Sequence, residues 1–404
     1  MYIKKDVVIV GGGAAGFFAA IQIAEQNPDL DIVILERGKE VLTKVKISGG
    51  GRCNVTHAEF IPSELVKNYP RGEKELLGPF HSFCSGDTIE FFEQRGIALK
   101  IEEDGRMFPV SDSSQTIIDC FLSEVKRLGI QILKNHSVKE ISKQENEWYL
   151  QTNQEGFQAK KVLIATGSNP KIWKMLETLE HKIIAPVPSL FTFNIKDNRI
   201  KGLAGIAEEV SIKVLDTKLE SEGPLLITHW GMSGPAILKL SAWGARELNS
   251  HNYQFKIKVN WLFKTTIEEA EKELKVFRTE NPKKLIVNTK PFSISKRLWL
   301  NFVEVSTISE KLRWADLSKK QLSQLATQLT ESVFQVNGKS TFKEEFVTAG
   351  GVDLKEINFK TFESKKHENL YFAGEVINID AITGGFNFQN AWTGAFIAAK
   401  AMAY

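Results

Sequence analysis

Near the start of the chain, Gly11-Gly12-Gly13-Ala14-Ala15-Gly16 has the spacing G-x-G-x-x-G, directly after the apolar run Val7–Val10. That spacing suits a diphosphate. Gly11 permits a tight turn, Gly13 lets the main chain approach a pyrophosphate, and Gly16 lets a helix pack closely on a strand. The helix opening at Ala14 and Ala15 presents free N–H groups and the positive end of its dipole to an anion. Glu36 ends a second apolar run, Ile32–Leu35, and is followed by Arg37. It stands about 20 residues beyond Gly16, where a dinucleotide-binding fold places the acid that takes the ribose hydroxyls. A carboxylate there favours a free 2′-OH over a 2′-phosphate. The other reading of the six residues is a Gly-rich turn without a ligand.

The far end of the chain carries a second arrangement. Leu370–Ala373 reads as a strand, Gly374-Glu375 follows, and Thr383-Gly384-Gly385-Phe386-Asn387 opens a helix containing Ala391, Gly394, Ala395, Ala398 and Ala399. This is similar to the second fingerprint of two-part FAD domains. In those domains the acid holds the ribityl chain and the helix N-terminus faces the flavin N1–C2=O edge, where it stabilises negative charge. A small-residue packing helix with a glycine cap is the structural alternative. Ala165-Thr166-Gly167, after the apolar run Val162–Ala165, agrees with the short turn such domains contain.

Between these ends lies Lys46-Ile-Ser48-Gly49-Gly50-Gly51-Arg52-Cys53-Asn54. Three glycines allow the main chain to press against a cofactor, and Lys46 and Arg52 are candidates to offset phosphate charge. Cys53 is a weak catalytic candidate if Arg52 lowers its thiol pKa; a buried, inert cysteine is the alternative. His229, in the compact THWGMSG turn, is a second weak candidate as a proton donor, against a purely structural histidine. His57 is a candidate for covalent flavin attachment. Gly231-Met-Ser233-Gly234-Pro235 fails as a nucleophile elbow because Pro235 replaces the last glycine, and it reads as a helix cap. No metal-binding pattern is readable.

These residues need elements to position them. The first 36 residues spell strand, helix, strand, which is a βαβ unit and a parallel sheet. Asp112–Ser114 supply cap residues for a helix to about Leu128. The pattern changes near Pro186-Val187-Pro188. Antiparallel strands follow, clearest at Tyr253–Trp261, and then helical text with a capping box at Ser318–Gln321. Parallel-sheet style returns at Leu370. The expected fold is therefore α/β: a Rossmann-like FAD-binding domain in two parts, 1–189 and 339–404. A small β-barrel at 190–264 and a helical insert at 265–338 interrupt it.

Composition sets the class. The 404 residues are 42% hydrophobic and 25% charged with net charge +3, an ordinary globular balance that does not itself argue for nucleic acid. Cys53, Cys84 and Cys120 lie far apart with no C-x-x-C pair, which fits a reducing compartment, and no run of about 18 apolar residues occurs. The expectation is a cytoplasmic protein with no membrane partner.

The GGGAAG start, the SGGGRCN loop, Gly105–Pro109, Pro224–Ala236, Val347–Gly351 and the GEVINIDAITGGFNFQNAW tail resemble the YhiN-like flavoprotein family over nearly the whole chain. The resemblance implies FAD as cofactor, adenine contacts near Val138, and flavin contacts from Asp380, Gly385, Phe386 and Asn387. One departure is Ser168-Asn-Pro170 leading into a helix, where many relatives have a Gly-rich loop. The expected activity is a FAD-dependent oxidoreductase acting on an unidentified small molecule. With no second G-x-G-x-x-G, any NAD(P)H docks transiently. The alternatives are a flavin-dependent RNA-modifying protein, with Lys256, Lys258 and Lys264 beside Trp261 as its basic face, and a non-catalytic flavin redox sensor.

Overall fold

The computed structural model describes residues 2–341 and 347–404; residues 342–346, inside the second expected FAD segment, lie outside the described residues. The chain divides into two units, Met1–Val187 with Lys343–Tyr404, and Pro188–Phe342.

In the first unit the run Val7–Val10 is buried on both faces, at 0–4% exposure, within the strand Tyr2–Val10. A strand without a polar face must sit inside a sheet covered by helices on both sides. It does: Tyr2–Val10 pairs in parallel with Ile32–Leu35 on one side and Gly156–Ile164 on the other. Gln131–Leu133 and Leu370–Phe372 extend the sheet outward, also in parallel. The strand ending at Ile164 begins at Gly156, earlier than the apolar run Val162–Ala165 indicates, because its first half pairs with the hairpin strand Glu147–Thr152.

Register fixes where the sheet ends. Val10 lies opposite Leu35 and Ile164, and Ile164 lies opposite Phe372. Leu133 in turn lies opposite Leu35, so five strands from distant stretches of sequence stop on one line. The helix Ala14–Gln26 and the terminal helix Phe386–Met402 meet through small residues, and their larger side chains form an aromatic cluster beside them. Phe18 lies 5.4 Å from Trp392 and 4.4 Å from Phe91, and Phe121 lies 5.7 Å from Trp392. The Trp392 indole N–H donates to the Val55 carbonyl at 2.9 Å, so the same side chain ties the terminal helix to the segment after Cys53.

The second unit holds a sheet of antiparallel strands with helices over it. Ser332–Asn337 pairs with Gln254–Asn260, and Lys339–Ser340 pairs with Thr192–Asn194. Gly338 between them donates to Tyr253 O and accepts from Asn194 N, at a φ of +103°. One bent strand thus closes the sheet on itself. Residues 332–337 were grouped by sequence with the helical stretch, yet their buried–exposed alternation has period two, which favours a strand. The helix after Ser233 starts at Pro235 with Gly234 as its N-cap, and Ser318 and Gln321 form their reciprocal cap.

Truncating Trp392 to Ala removes a fully buried indole and leaves the Val55 carbonyl unpaired. Urea denaturation followed by far-UV circular dichroism should show a loss of about 3–5 kcal/mol; a loss below about 1 kcal/mol would show that the aromatic cluster does not hold the terminal helix.

Candidate functional site

The line of strand ends carries the residues that sequence singled out. Beyond Val10 comes Gly11, beyond Leu35 comes Glu36, beyond Ile164 comes Ala165, and beyond Phe372 come Ala373 and Gly374. In open α/β sheets ligands bind in the crevice outside these carboxyl ends, where the strand order reverses. Here the chain leaves Tyr2–Val10 toward Ile32–Leu35, while Gly156–Ile164 flanks its other edge, so the reversal lies between Gly11 and Ala165.

The glycines divide by what surrounds them. A methyl group on Gly11 would fall 2.4 Å from the Ala165 carbonyl oxygen, and Gly11 has φ +118°. On Gly16 it would fall 2.1 Å from the Gly11 carbonyl oxygen. These two are required by the fold. Gly13 is different. It caps the helix with extended backbone, and a methyl group there would meet nothing within 4 Å. Gly50 and Gly51, at φ +68° and +86°, are likewise open. At these three glycines the main chain is open enough for a ligand to approach it.

Glu36 is held at the turn. One carboxylate oxygen accepts from Gly12 N at 2.9 Å and the other from Gly38 N at 2.6 Å. Arg37 beside it is exposed. The segment leading to Val138 runs past this acid, with His136 N donating to Glu36 O and Asn135 N to Gly38 O, and Val138 itself is buried. Thr166 and Gly167 follow Ala165, and Gly167, at φ +61°, lies beside the Glu375 carboxylate. Glu375 pairs with Lys44, a residue that no motif marks. Gly374 has φ +75°, and a methyl group on it would contact Ala15 and Ala391 at 3.4 and 3.8 Å. The two chain ends meet there.

The start of the terminal helix is held on all sides. Gly385, at φ +95°, presses on the Thr56 carbonyl and the Asn54 side chain. His57 Nδ1 donates to Gly384 O at 3.0 Å, and its ring stacks on Phe386 at 4.4 Å. Tyr69 donates to Phe386 O at 2.6 Å; burial pushes its hydroxyl pKa well up. Asn387 braces Ala381 at both N and O. Gly105, of the Gly105–Pro109 stretch, is packed under the His57 ring.

Several expectations change here. The Lys46–Asn54 stretch begins as a helix, Thr43–Gly51, broken by non-helical Ser48, Gly49 and Gly50. Lys46 is exposed, 4.0 Å from Glu40. The Arg52 guanidinium pairs with Glu102 at 2.6 Å and Asp112 at 3.5 Å and lies over the Phe108 ring. Cys53 takes the inert one of its two readings. Its side chain is fully buried, and burial pushes the thiol to about 12, against a weaker opposing hydrogen bond with Ser48. The Asp380 carboxylate, expected to contact flavin, is fully buried against Arg71. His229 belongs to the second unit and is exposed beside Trp230. The basic face around Trp261 does not form, because Trp261 is buried while Lys258 pairs with Glu331 and Lys264 with Glu222. Sequence reasoning missed Tyr69 and Arg71, lone residues outside every motif, and Lys44, whose partner Glu375 lies at the other end of the chain.

Two outcomes follow. Gly13→Val should leave the urea midpoint nearly unchanged yet lower flavin affinity at least about tenfold, because only ligand space is filled; an unchanged affinity by fluorescence titration would remove Gly13 from the site. Cys53 should resist iodoacetamide at pH 8 in the folded protein, since its thiolate forms only near pH 12, while half-buried Cys84 reacts first. Rapid labelling of Cys53 at pH 8 would contradict its burial.

The model of the HI0933-like protein Rossmann domain matches residues 5–401. A ribosomal RNA dihydrouridine synthase of Haemophilus influenzae is 29% identical over 410 residues, covering 98% of both chains. A 3-dehydro-bile acid delta(4,6)-reductase of Clostridium scindens is 26% identical over 409 residues, again 98% of both. The crystal structure of 3-ketosteroid-delta4-(5alpha)-dehydrogenase from Rhodococcus jostii shares the fold, with TM-score 0.52 at 12% identity over 100% of this chain and 97% of that one. Among the described residues no helix is long and apolar enough to cross a membrane. The chain belongs to the HI0933-like Rossmann flavoprotein family and is a FAD-dependent oxidoreductase.

Proposed function

We propose that this chain reduces a carbon–carbon double bond conjugated to a carbonyl, and that its substrate is a uracil base in RNA. The observation that carries the cofactor half of this reading is that the Gly11–Gly16 turn, Glu36, Ala165–Gly167 and Gly374–Glu375 follow the ends of strands in register, with the main chain at Gly13 open to a ligand. The substrate half draws support from the two full-length relatives. One is named for making dihydrouridine and the other for reducing a 3-dehydro bile acid. Both names describe saturation of a double bond beside a carbonyl, on a nucleobase in one and a steroid in the other.

The residues divide the cofactor between them. The turn Gly11–Gly16 and the helix N-terminus at Ala14 receive the diphosphate. Glu36, Arg37 and Val138 serve the adenosine end, and Glu375 with Gly374 the ribityl end. The main chain of Ser48–Asn54 and of Ala165–Gly167 closes over the middle. Gly384, Gly385, Phe386 and Asn387 present the start of the terminal helix, whose free N–H groups stabilise negative charge. When bound, FAD supplies hydride transfer. The side chains already spent on structure, Arg52, Asp380 and Cys53, hold the walls in place.

The test uses the holoprotein, reduced nicotinamide and an in vitro transcribed ribosomal RNA, with nucleosides released and weighed by mass spectrometry. Uridine should gain two hydrogens only when protein, reductant and FAD are all present. The steroid-like reading, favoured by the bile-acid relative, predicts instead that a 3-oxo-4-ene steroid reoxidises the flavin while RNA is untouched.

A further inference from the structure

The net charge of +3 conceals a division. Pro188–Phe342 contains 23 Lys and Arg against 16 Asp and Glu, and the rest of the chain 29 against 33. Averaging over the whole sequence hides a basic second unit and an acidic first one. Within the second unit the excess is local: residues 281–320 contain nine basic side chains and three acidic ones. Among the described residues none of those nine is in an ion pair, although elsewhere in the unit Arg199, Lys258, Lys264 and Lys275 all are.

The backbone gathers these charges. Leu285 and Arg313 form an antiparallel bridge, Trp314 N donates to Lys284 O at 3.0 Å, and Ile286 N donates to Leu312 O at 3.1 Å. Arg313 therefore lies opposite Leu285, with Lys283 and Lys284 just before the bridge on one segment and Lys311 just before it on the other. Lys319 and Lys320 begin the helix that follows. All six are exposed. The frame beneath them is rigid: Trp299 and Trp314 are buried, stacked 6.3 Å apart, and donate to Ile286 O and Thr289 Oγ1.

What the surface lacks identifies its partner. Its aromatic side chains face inward, and Val305 is its one large apolar side chain among the described residues that is substantially exposed. A protein partner is anchored by buried aromatic hot spots, and a membrane by inserted apolar groups. Charge without apolar anchors suits the phosphate backbone of a nucleic acid, which positions a protein without reading sequence. We propose that this surface of the second unit, centred on Lys283, Lys284, Lys311 and Arg313, binds the phosphate backbone of RNA. The proposal rests on the RNA reading given above and supplies its docking surface.

The experiment compares the holoprotein with a variant carrying K283Q, K284Q, K311Q and R313Q, and with a control carrying K218Q and K256Q. The probe is the same transcribed ribosomal RNA. The logarithm of the wild-type affinity should fall linearly with the logarithm of salt, and the four substitutions should flatten that slope by up to about 3–4. They should weaken binding at least about tenfold near 0.1 M salt, with FAD content and flavin reduction by dithionite unchanged and the control binding as wild type does. Equal RNA binding by the variant overturns the assignment, whether or not dihydrouridine is formed. Retention on phosphatidylglycerol vesicles without RNA binding overturns it in favour of a membrane. Salt-sensitive RNA binding that the variant loses, without dihydrouridine formation, supports the surface and sinks the substrate reading alone.

Discussion

The structure depends on one constraint: five parallel strands must stop on the same line. Val10, Leu35, Leu133, Ile164 and Phe372 are in register, so the main chain leaves the sheet five times at one edge. Two of these exits use glycine. Gly11 passes so close to Ala165 that no Cβ fits, and Gly374 rests against Ala15 and Ala391. Small residues let the first and last helices approach, and Trp392 and Phe18 then fill the space beside them. Hydrophobic packing thus determines that two stretches more than 350 residues apart share one crevice.

The same constraint explains the many bonds spent on the start of the terminal helix. A helix N-terminus is useful to a cofactor only if it stays where it is put. Arg71 against the fully buried Asp380 anchors the loop before it; breaking a buried pair of this kind typically costs about 3–5 kcal/mol. Tyr69, His57 and Asn387 take up the remaining carbonyls and amides. The side chains closest to the candidate site are scaffolding, and the groups left open there are main-chain N–H groups and glycines. That division suits a flavoenzyme, in which the cofactor carries the difficult chemistry.

The elements of the first unit were legible because strand and helix signals there are local: a four-residue apolar run, a glycine turn, a Ser cap. The helix Ala14–Gln26 and the strand Ile32–Leu35 have the bounds that their spacing implies. The glycines of the fingerprint were legible for the same reason. What sequence could not supply was partnership. Arg52 beside Cys53 leaves an activated thiol and a buried, inert one both open; Glu102, fifty residues on, takes the guanidinium and burial holds the thiol inert. Lys256, Lys258 and Lys264 read as a basic face beside Trp261, but Glu331 and Glu222 neutralise two of them and the indole turns inward. The lysines with no carboxylate opposite lie elsewhere in the unit, and a whole-chain charge near zero masks them.

The most direct measurement is a crystal structure of the holoprotein with its flavin retained. The diphosphate should lie within hydrogen-bonding distance, about 2.7–3.2 Å, of the main-chain amides between Gly13 and Ala15, with the flavin ring at the Gly385–Phe386 start of the terminal helix. A flavin bound away from the line of strand ends, or touching one of these segments without the other, would contradict this placement.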